Sequence, residues 1–283
     1  MGEWDSWIGR TRIAHDRADE PLVRRWCATL DRPLPADATA PQGLHWCLCL
    51  PDEPSARLAA DGHPIRDDSL DSFLPPVPLP RRMWAGSAID FLAPIPVGAP
   101  IERRSQVRAI TPRQGATGAL VFVEVEHLTH ADGIPAVREV HTIVYREPAG
   151  GEPTTSASAA TPFDAAAWTA HRTLTPNEAL LFRYSALTFN GHRIHYDHPY
   201  VTQVEGYRGL IVHGPLIATL LLDLARREHG ENALRTFRFR ALSPAICGEV
   251  LHLGLRPTAE GMELGAFGPD GTPLIAATAT IGQ

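Results

Sequence analysis

The chain has 283 residues, 44 % of them hydrophobic and 20 % charged, with a formal net charge of −6. That is enough apolar material for a sizeable core, and the acidic balance argues against nucleic acid as the main partner. All 26 cationic residues are arginine, so a Walker-type phosphate loop, a pyridoxal Schiff base and every lysine nucleophile are excluded.

The first residues, "MGEWDSWIGR", lack the apolar core of a secretory signal, and no apolar run is long enough to span a bilayer. Cys27, Cys47, Cys49 and Cys247 are scattered, which reads as reduced thiols in a cytoplasmic protein. A helix is expected in "DEPLVRRWCATLDRP" (19–33). The Pro-rich, acidic stretch 51–80 follows as punctuation. Then come three strand patterns, "ERRSQVRAIT", "ALVFVEVEHLTH" and "IPAVREVHTIVYRE", the last two joined at Asp132-Gly133, a hairpin signal.

"EPAGGEPTTSASAATPF" (147–163) reads as a linker. The expected division is a first unit at 1–148, a linker at 149–163 and a second unit at 164–283. The second unit repeats the rhythm of the first. Leu92, Pro94 and Gly98 of "FLAPIPVGAPI" fall on Leu242, Pro244 and Gly248 of "ALSPAICGEVL" at a constant offset of 150. Strand patterns "HLGLRPT", "MELGAFG" and "PLIAATATI" follow, with the last turn at Asp270-Gly271. The matched order of turns and strands points to a duplicated unit.

Two helices are expected early in the second unit. "TPNEALLFRYSALTF" starts behind Thr175-Pro176, and "HGPLIATLLLDLARREHG" runs from His213 to Gly230. In the latter, Leu216, Ile217, Leu220, Leu221 and Leu224 recur at helical spacing, with apolar residues on most sides of the first turns, so it is expected to be buried. A long buried helix wrapped by antiparallel strands is the hot dog fold. The expected class is therefore α+β, a double hot dog of two tandem units.

Between these helices lies "YSALTFNGHRIHYDHPYV" (184–201), with His192, His195 and His198 each three residues apart. Gly191 and Pro199 break a continuous helix, which weakens a three-histidine metal site. An acid–base site fits better because "IVHGPLIATLL" follows, with Gly214 at the start of the buried helix. Unpaired N–H groups and the positive dipole end there can polarise a carbonyl oxygen.

"YSALTFNGHRIHYD" followed by "IVHGPLIATLL" resembles the MaoC-like, or type 2, enoyl-CoA hydratases and hydroxyacyl-thioester dehydratases. Their motif reads Asp-x-Asn-Pro-x-His, followed by a His-Gly that opens the central helix. Here Asn190 takes the Asp place, His192 the Asn place, Arg193 the Pro place and His195 that of the catalytic His. Asp197 matches an Asp that often follows, and Gly214 matches the oxyanion glycine. The resemblance implies reversible hydration of a 2-enoyl thioester, with the hydroxyl on the β-carbon in the R sense. The substrate would be carried on CoA or acyl carrier protein, without metal or other cofactor, by a homodimer or higher oligomer. Asn190, His195 and Gly214 are expected to be catalytic, with Tyr184, His192, Arg193, Arg208 and His213 bordering the substrate. Asparagine cannot take a proton, so His195 must carry more of the transfer.

The variant motif most resembles the subgroup of mesaconyl-CoA and itaconyl-CoA hydratases. A second acyl carboxylate would need an arginine, with Arg193, Arg208 and Arg183 nearest in sequence. The first unit resembles the degenerate N-terminal domain of two-hot-dog members. Its helix leads to Asp31 with no histidine five residues on, so one active site per chain is expected. The alternatives are a hot dog thioesterase, with Glu205 a better candidate carboxylate than the deep Asp223, and a non-catalytic acyl-CoA-binding protein.

Overall fold

The computed structural model describes residues 2–115, 118–147 and 161–282, so positions 149–160 of the expected linker lie outside the described residues. Among the described residues ten strands form one antiparallel sheet. Its order is β1 (Thr11–Arg17), β3 (Pro100–Gly115), β4 (Gly118–Ala131), β5 (Ile134–Arg146), β2 (Arg81–Phe91), β7 (Leu234–Ala241), β10 (Pro273–Ile281), β9 (Gly261–Phe267), β8 (Leu251–Thr258), β6 (Ala170–Leu174). Among the described residues it is accompanied by four α-helices, α1 (Glu20–Thr29), α2 (Glu178–Thr188), α3 (His198–Gln203) and α4 (Gly214–His229). The fold is the expected double hot dog, with five strands from each half and the halves joined through β2 and β7.

The offset of 150 seen in the sequence is a two-fold in space. It carries the β2–β7 pair Gly86–Arg240 onto Thr236–Asp90 and leaves Ala88–Arg238 in place. The ladders slip between Trp84 and Gly86 in one half and opposite residues 234 and 236 in the other. Gly98 and Gly248 have φ of +93° and +84° and donate to Ala18 and Pro176 at matching places. Only glycine adopts that backbone without strain, which is why both copies have it.

The helices match less completely. α1 and α2 correspond. Asp19 and Asn177 cap them by accepting from Leu22 and Leu180, and both run into a left-handed residue, Asp31 (φ +50°) and Phe189 (φ +48°). Arg32 N–H then donates to Cys27 as Asn190 N–H does to Ser185. The counterpart of Asn190 is therefore Arg32, not Asp31 as the sequence comparison had it, and equal spacing sets Asp37 opposite His195.

α4 fills the centre of the second half. Every residue from Leu216 to Ala225 is buried, which explains its apolar character on most sides. Burying each such leucine contributes about 1.5–3 kcal/mol. The first half begins the same element and abandons it. Ala40 N–H donates to Ile95 as Val212 does to Ala245, and Val97 donates to Ala38 as Cys247 does to Leu210. Residues 38–42 thus correspond to 210–214. Beyond them the first half makes a single 3₁₀ turn, Leu44–Cys47, in place of a long helix. The chain then leaves on the excursion 48–80, which contains no strand and only one further 3₁₀ turn.

All four cysteines are free, and burial pushes the Cys47 thiol up to about 12. Among the described residues no helix is long and apolar enough to cross a membrane.

Candidate active site

The site is built where α2 ends and α4 begins. After left-handed Phe189 the chain turns on Asn190, whose Oδ1 accepts from His192 N–H at 2.9 Å. A 3₁₀ turn, Arg193–His195, follows, then Asp197 caps α3 by accepting from Tyr200 N–H. The crowded motif is therefore a run of turns and caps, and much of its polarity satisfies its own backbone.

His195 is 7 % exposed, and its Nδ1 lies 2.7 Å from the carbonyl oxygen of Ile211. A carbonyl can only accept, so Nδ1 carries the proton and Nε2 keeps its lone pair. The His213 ring stacks on His195 at 3.5 Å, and His213 Nε2 is 2.8 Å from Ser185 Oγ. Burial, with smaller contributions from His192 and His63, pushes His195 down to about 3 against the pull of the Ile211 bond, and burial holds His213 well below the usual imidazole range. Both rings are neutral at ordinary pH.

Gly214 is the first residue of α4, and its N–H has no acceptor among the described residues. A Cβ built on it would meet nothing within 4 Å. The glycine thus opens onto free space at the positive end of the helix.

His192 stands 5.6 Å edge-on from His195. Its other neighbour was not foreseen. The His63 ring, from the first-half excursion, packs on it at 4.1 Å, and His63 Nδ1 lies 3.2 Å from Asp61 Oδ2. Arg193 N–H donates to the Asp61 carbonyl at 2.8 Å, and its guanidinium to that of Ala60 at 2.9 Å. A Cβ on Gly62 would sit 1.9 Å from the Gly191 oxygen, so the excursion presses directly against the motif. Burial would raise the Asp61 carboxyl, but the bonds from His63 outweigh it and hold the group well below the usual range.

The remaining expected residues lie elsewhere. Tyr184 is fully buried behind His213, with its hydroxyl 3.3 Å from Thr219 Oγ1, so it supports the site from within the core. Arg193 grips Asp197 at 2.7 Å and lies over the Tyr200 ring. Arg208 is on the surface, paired with Glu249. Arg183 is exposed beside the Ala28 carbonyl. None of the three is a free cation aimed at the site, contrary to expectation. His198 begins α3 and is exposed, so the three motif histidines do not converge. Among the described residues, the one set of three metal-capable donors in reach of one another is Asp61, His63 and His192, within 4.8 Å. Two of them are already hydrogen-bonded to each other.

A half-buried arginine that sequence reasoning passed over is Arg82. It pairs in register with fully buried Tyr145, which places it on the inner face of β2, and it has no carboxylate or carbonyl partner among the described residues. Its charge contributes to lowering both His192 and His141. The two-fold makes Arg82 the counterpart of Asn232, whose Oδ1 accepts from Gln42 N–H at 2.9 Å. Gln42 corresponds to Gly214, and on the Arg82 side the guanidinium is within electrostatic reach of His192 of the motif. The carboxylates a thioesterase would use are engaged. Asp223 is fully buried against Arg172, Arg226 and Arg227, and Glu205 bonds Arg81 and Tyr200.

Residues 43–247 match the family described as hydroxyacyl-thioester dehydratase type 2. The chain is 40 % identical to mesaconyl-C(4)-CoA hydratase of Chloroflexus aurantiacus over 283 residues, covering 99 % of this chain and 98 % of that protein. An 86-residue stretch is 38 % identical to the mitochondrial hydroxyacyl-thioester dehydratase type 2 of Schizosaccharomyces pombe, covering 30 % and 29 %. In structure it is similar to a MaoC-like dehydratase from Phytophthora capsici, with TM-score 0.68, 14 % identity and coverage of 98 % and 96 %. A Mycobacterium tuberculosis protein with a double hot dog fold aligns with TM-score 0.59 at 12 % identity, covering 97 % and 96 %.

Proposed function

We propose that this chain, which belongs to the hydroxyacyl-thioester dehydratase type 2 family and is a hydro-lyase, hydrates a short 2-enoyl-CoA bearing a second carboxylate, with His195 as base. The observation that carries the site assignment is the pairing of a neutral, tautomerically fixed His195 with the open N-terminus at Gly214. Water bound at His195 Nε2 gives up a proton as its oxygen attacks the β-carbon. The π electrons move toward the thioester, whose oxygen takes on negative charge and is received by the Gly214 N–H. Asn190 holds the turn that presents His192 and leaves its amide N–H₂ free to orient water.

The dicarboxylate part rests on the full-length likeness to a mesaconyl-C(4)-CoA hydratase and on Arg82. An unpaired buried carboxylate is costly, so a pocket that takes one needs a cation. With no lysine in the chain and Arg193 and Arg208 already paired, Arg82 is the arginine left to grip it.

The test is hydration of mesaconyl-C(4)-CoA and crotonyl-CoA by wild type and His195→Gln. Glutamine is preferred to alanine because His195 is buried and bonded to Ile211, so truncation would leave a hole and an unpaired carbonyl. The variant should lose about 10² to 10⁴ in kcat with either substrate. Wild-type turnover in it, or a wild-type preference for crotonyl-CoA, would refute the base and the dicarboxylate respectively.

A further inference from the structure

Where the excursion 48–80 meets the histidine motif, backbone groups hold the two together. Arg193 N–H donates to the Asp61 carbonyl at 2.8 Å, and Gly62 stands against Gly191. Beside these contacts three side chains come together that no step of the hydration proposed above employs. One donor atom from each of Asp61, His63 and His192 lies within 4.8 Å of the other two.

We infer that Asp61, His63 and His192 form a binding site for one divalent transition-metal ion, such as Zn²⁺, which clamps the first half's excursion onto the second half's motif. The inference does not depend on His195 as base. The donors select the ion. Two imidazoles and one carboxylate suit zinc, cobalt or nickel, whereas calcium and magnesium take oxygen ligands and cuprous copper favours sulfur.

The spacing fits as well. Ligands of a tetrahedral zinc stand about 3.3 Å apart, because each bond is about 2.0–2.1 Å long. His63 Nδ1 and Asp61 Oδ2 are already 3.2 Å apart. The ion takes the place of the hydrogen between them, and that proton leaves to solvent. His192 supplies the third ligand. Its ring lies 4.1 Å from that of His63, and its side chain has no hydrogen bond to break among the described residues. Its backbone is held by Asn190 Oδ1 and by His195 N–H, so the ring has a fixed base to reach from.

A supporting shell is in place. Asp61 Oδ1 accepts from His63 N–H at 2.9 Å, which turns Oδ2 toward the His63 ring. The Asp61 and His63 side chains are 39 % and 26 % exposed, so an ion has a way in and water can complete its coordination. Asp61 and His63 belong to the first half and His192 to the second. An ion shared among them therefore adds a bond between halves where the contact is otherwise made largely through backbone groups.

The experiment titrates Zn²⁺ into metal-free wild type, Asp61→Asn, His63→Gln, His192→Gln, His195→Gln and His198→Gln. It reads bound metal by equilibrium dialysis and Tm with and without zinc, and uses Co²⁺ in place of zinc to report the ligand set through its visible d–d bands. Wild type should bind one tight zinc per chain and gain about 3 °C or more in Tm at a hundredfold excess over Kd. Asp61→Asn, His63→Gln and His192→Gln should each weaken binding about tenfold or more, erase the gain in Tm and change the cobalt bands. His195→Gln and His198→Gln should bind as wild type does. Each shift is taken against the same variant's metal-free Tm, so a variant that is merely less stable still gives an answer. A wild type without a saturable tight site, or a site that survives in Asp61→Asn and His63→Gln, would overturn the inference. So would loss of the site in His195→Gln, since zinc would then sit on the motif histidines without the excursion. Hydration by His195→Gln reports separately on the base.

Discussion

The two halves share one strand frame and part company at the end of one matched segment, 38–42 against 210–214. In the second half that segment ends in Gly214, which opens onto free space and begins a sixteen-residue helix. In the first half the corresponding N–H belongs to Gln42 and is already occupied by Asn232 Oδ1. The Gln42 side chain is locked too, donating to the Leu234 carbonyl at 2.7 Å and accepting from its N–H at 3.2 Å. Asn232 Nδ2 closes the group by donating to Thr39 Oγ1. One half keeps its helix end open while the other plugs it. The first half has not merely decayed. Where its twin continues α4, the first half runs the longer excursion 48–80, and the tip of that excursion lies on the other half's motif.

The contrast is sharpest at Gly214 and Gln42. Gly214→Ala places a methyl in the open space, and displacing a reacting carbonyl by about 1 Å can cost about 10²-fold in kcat. The backbone there is helical, where alanine outranks glycine by up to about 1 kcal/mol, so Tm should hold or rise. Gln42→Gly should do the reverse, leaving kcat within twofold and lowering stability by about 1–3 kcal/mol through lost hydrogen bonds. Steady-state kinetics with thermal melts check both, and an inactive Gln42→Gly would make the plugged half functional.

The next contrast is Arg82 with Asn232. Arg82→Gln should lower kcat/KM for mesaconyl-C(4)-CoA by more than about tenfold, or 1.4 kcal/mol, and leave crotonyl-CoA within twofold. Equal losses on both substrates would mean that Arg82 serves CoA or the fold. Asn232→Ala should touch neither substrate and cost only stability.

The smallest effect concerns pH. Burial pushes His127 to about 3 and His141 to about 4 on the inner face of the first half, and His192 and His195 to about 3 in the second. Each is neutral when folded, whereas the unfolded chain protonates below about 6.5. Stability is therefore full above that value and falls as pH drops below it, by up to about 1.4 kcal/mol per unit for each fully buried ring. His141→Gln should flatten the slope of Tm between pH 6.5 and 5 without altering hydration. An unchanged slope would mean that His141 is charged in the folded chain.

What was legible in the sequence was local or periodic. The hairpins, the buried α4 and the offset of 150 come from alternation, helical spacing and turn residues, which act over a few positions. The histidine motif with its glycine was legible because short spacing fixes how a turn meets a helix start. Asp61 and His63 were not, because they reach the motif across a long sequence separation, 133 positions from Ala60 to Arg193, inside a stretch that looked like punctuation. Arg82 sat in a strand pattern, and alternation does not say which wall of which cavity an inward residue faces. The reduced central helix of the first half was also hidden. Gly43 adopts φ +100° and turns the chain out of the helix just where a glycine-containing start resembles the other copy.

The plug at Gln42 also has a use in chemistry. It shows a planar amide oxygen seated 2.9 Å from the Gln42 N–H, the counterpart of the Gly214 N–H, within this same scaffold. Inhibitor design can take that geometry as its template. If Gly214 receives the thioester oxygen as proposed, replacing the thioester sulfur of a CoA substrate by nitrogen would present a similar amide oxygen to it while weakening the acidity on which elimination depends.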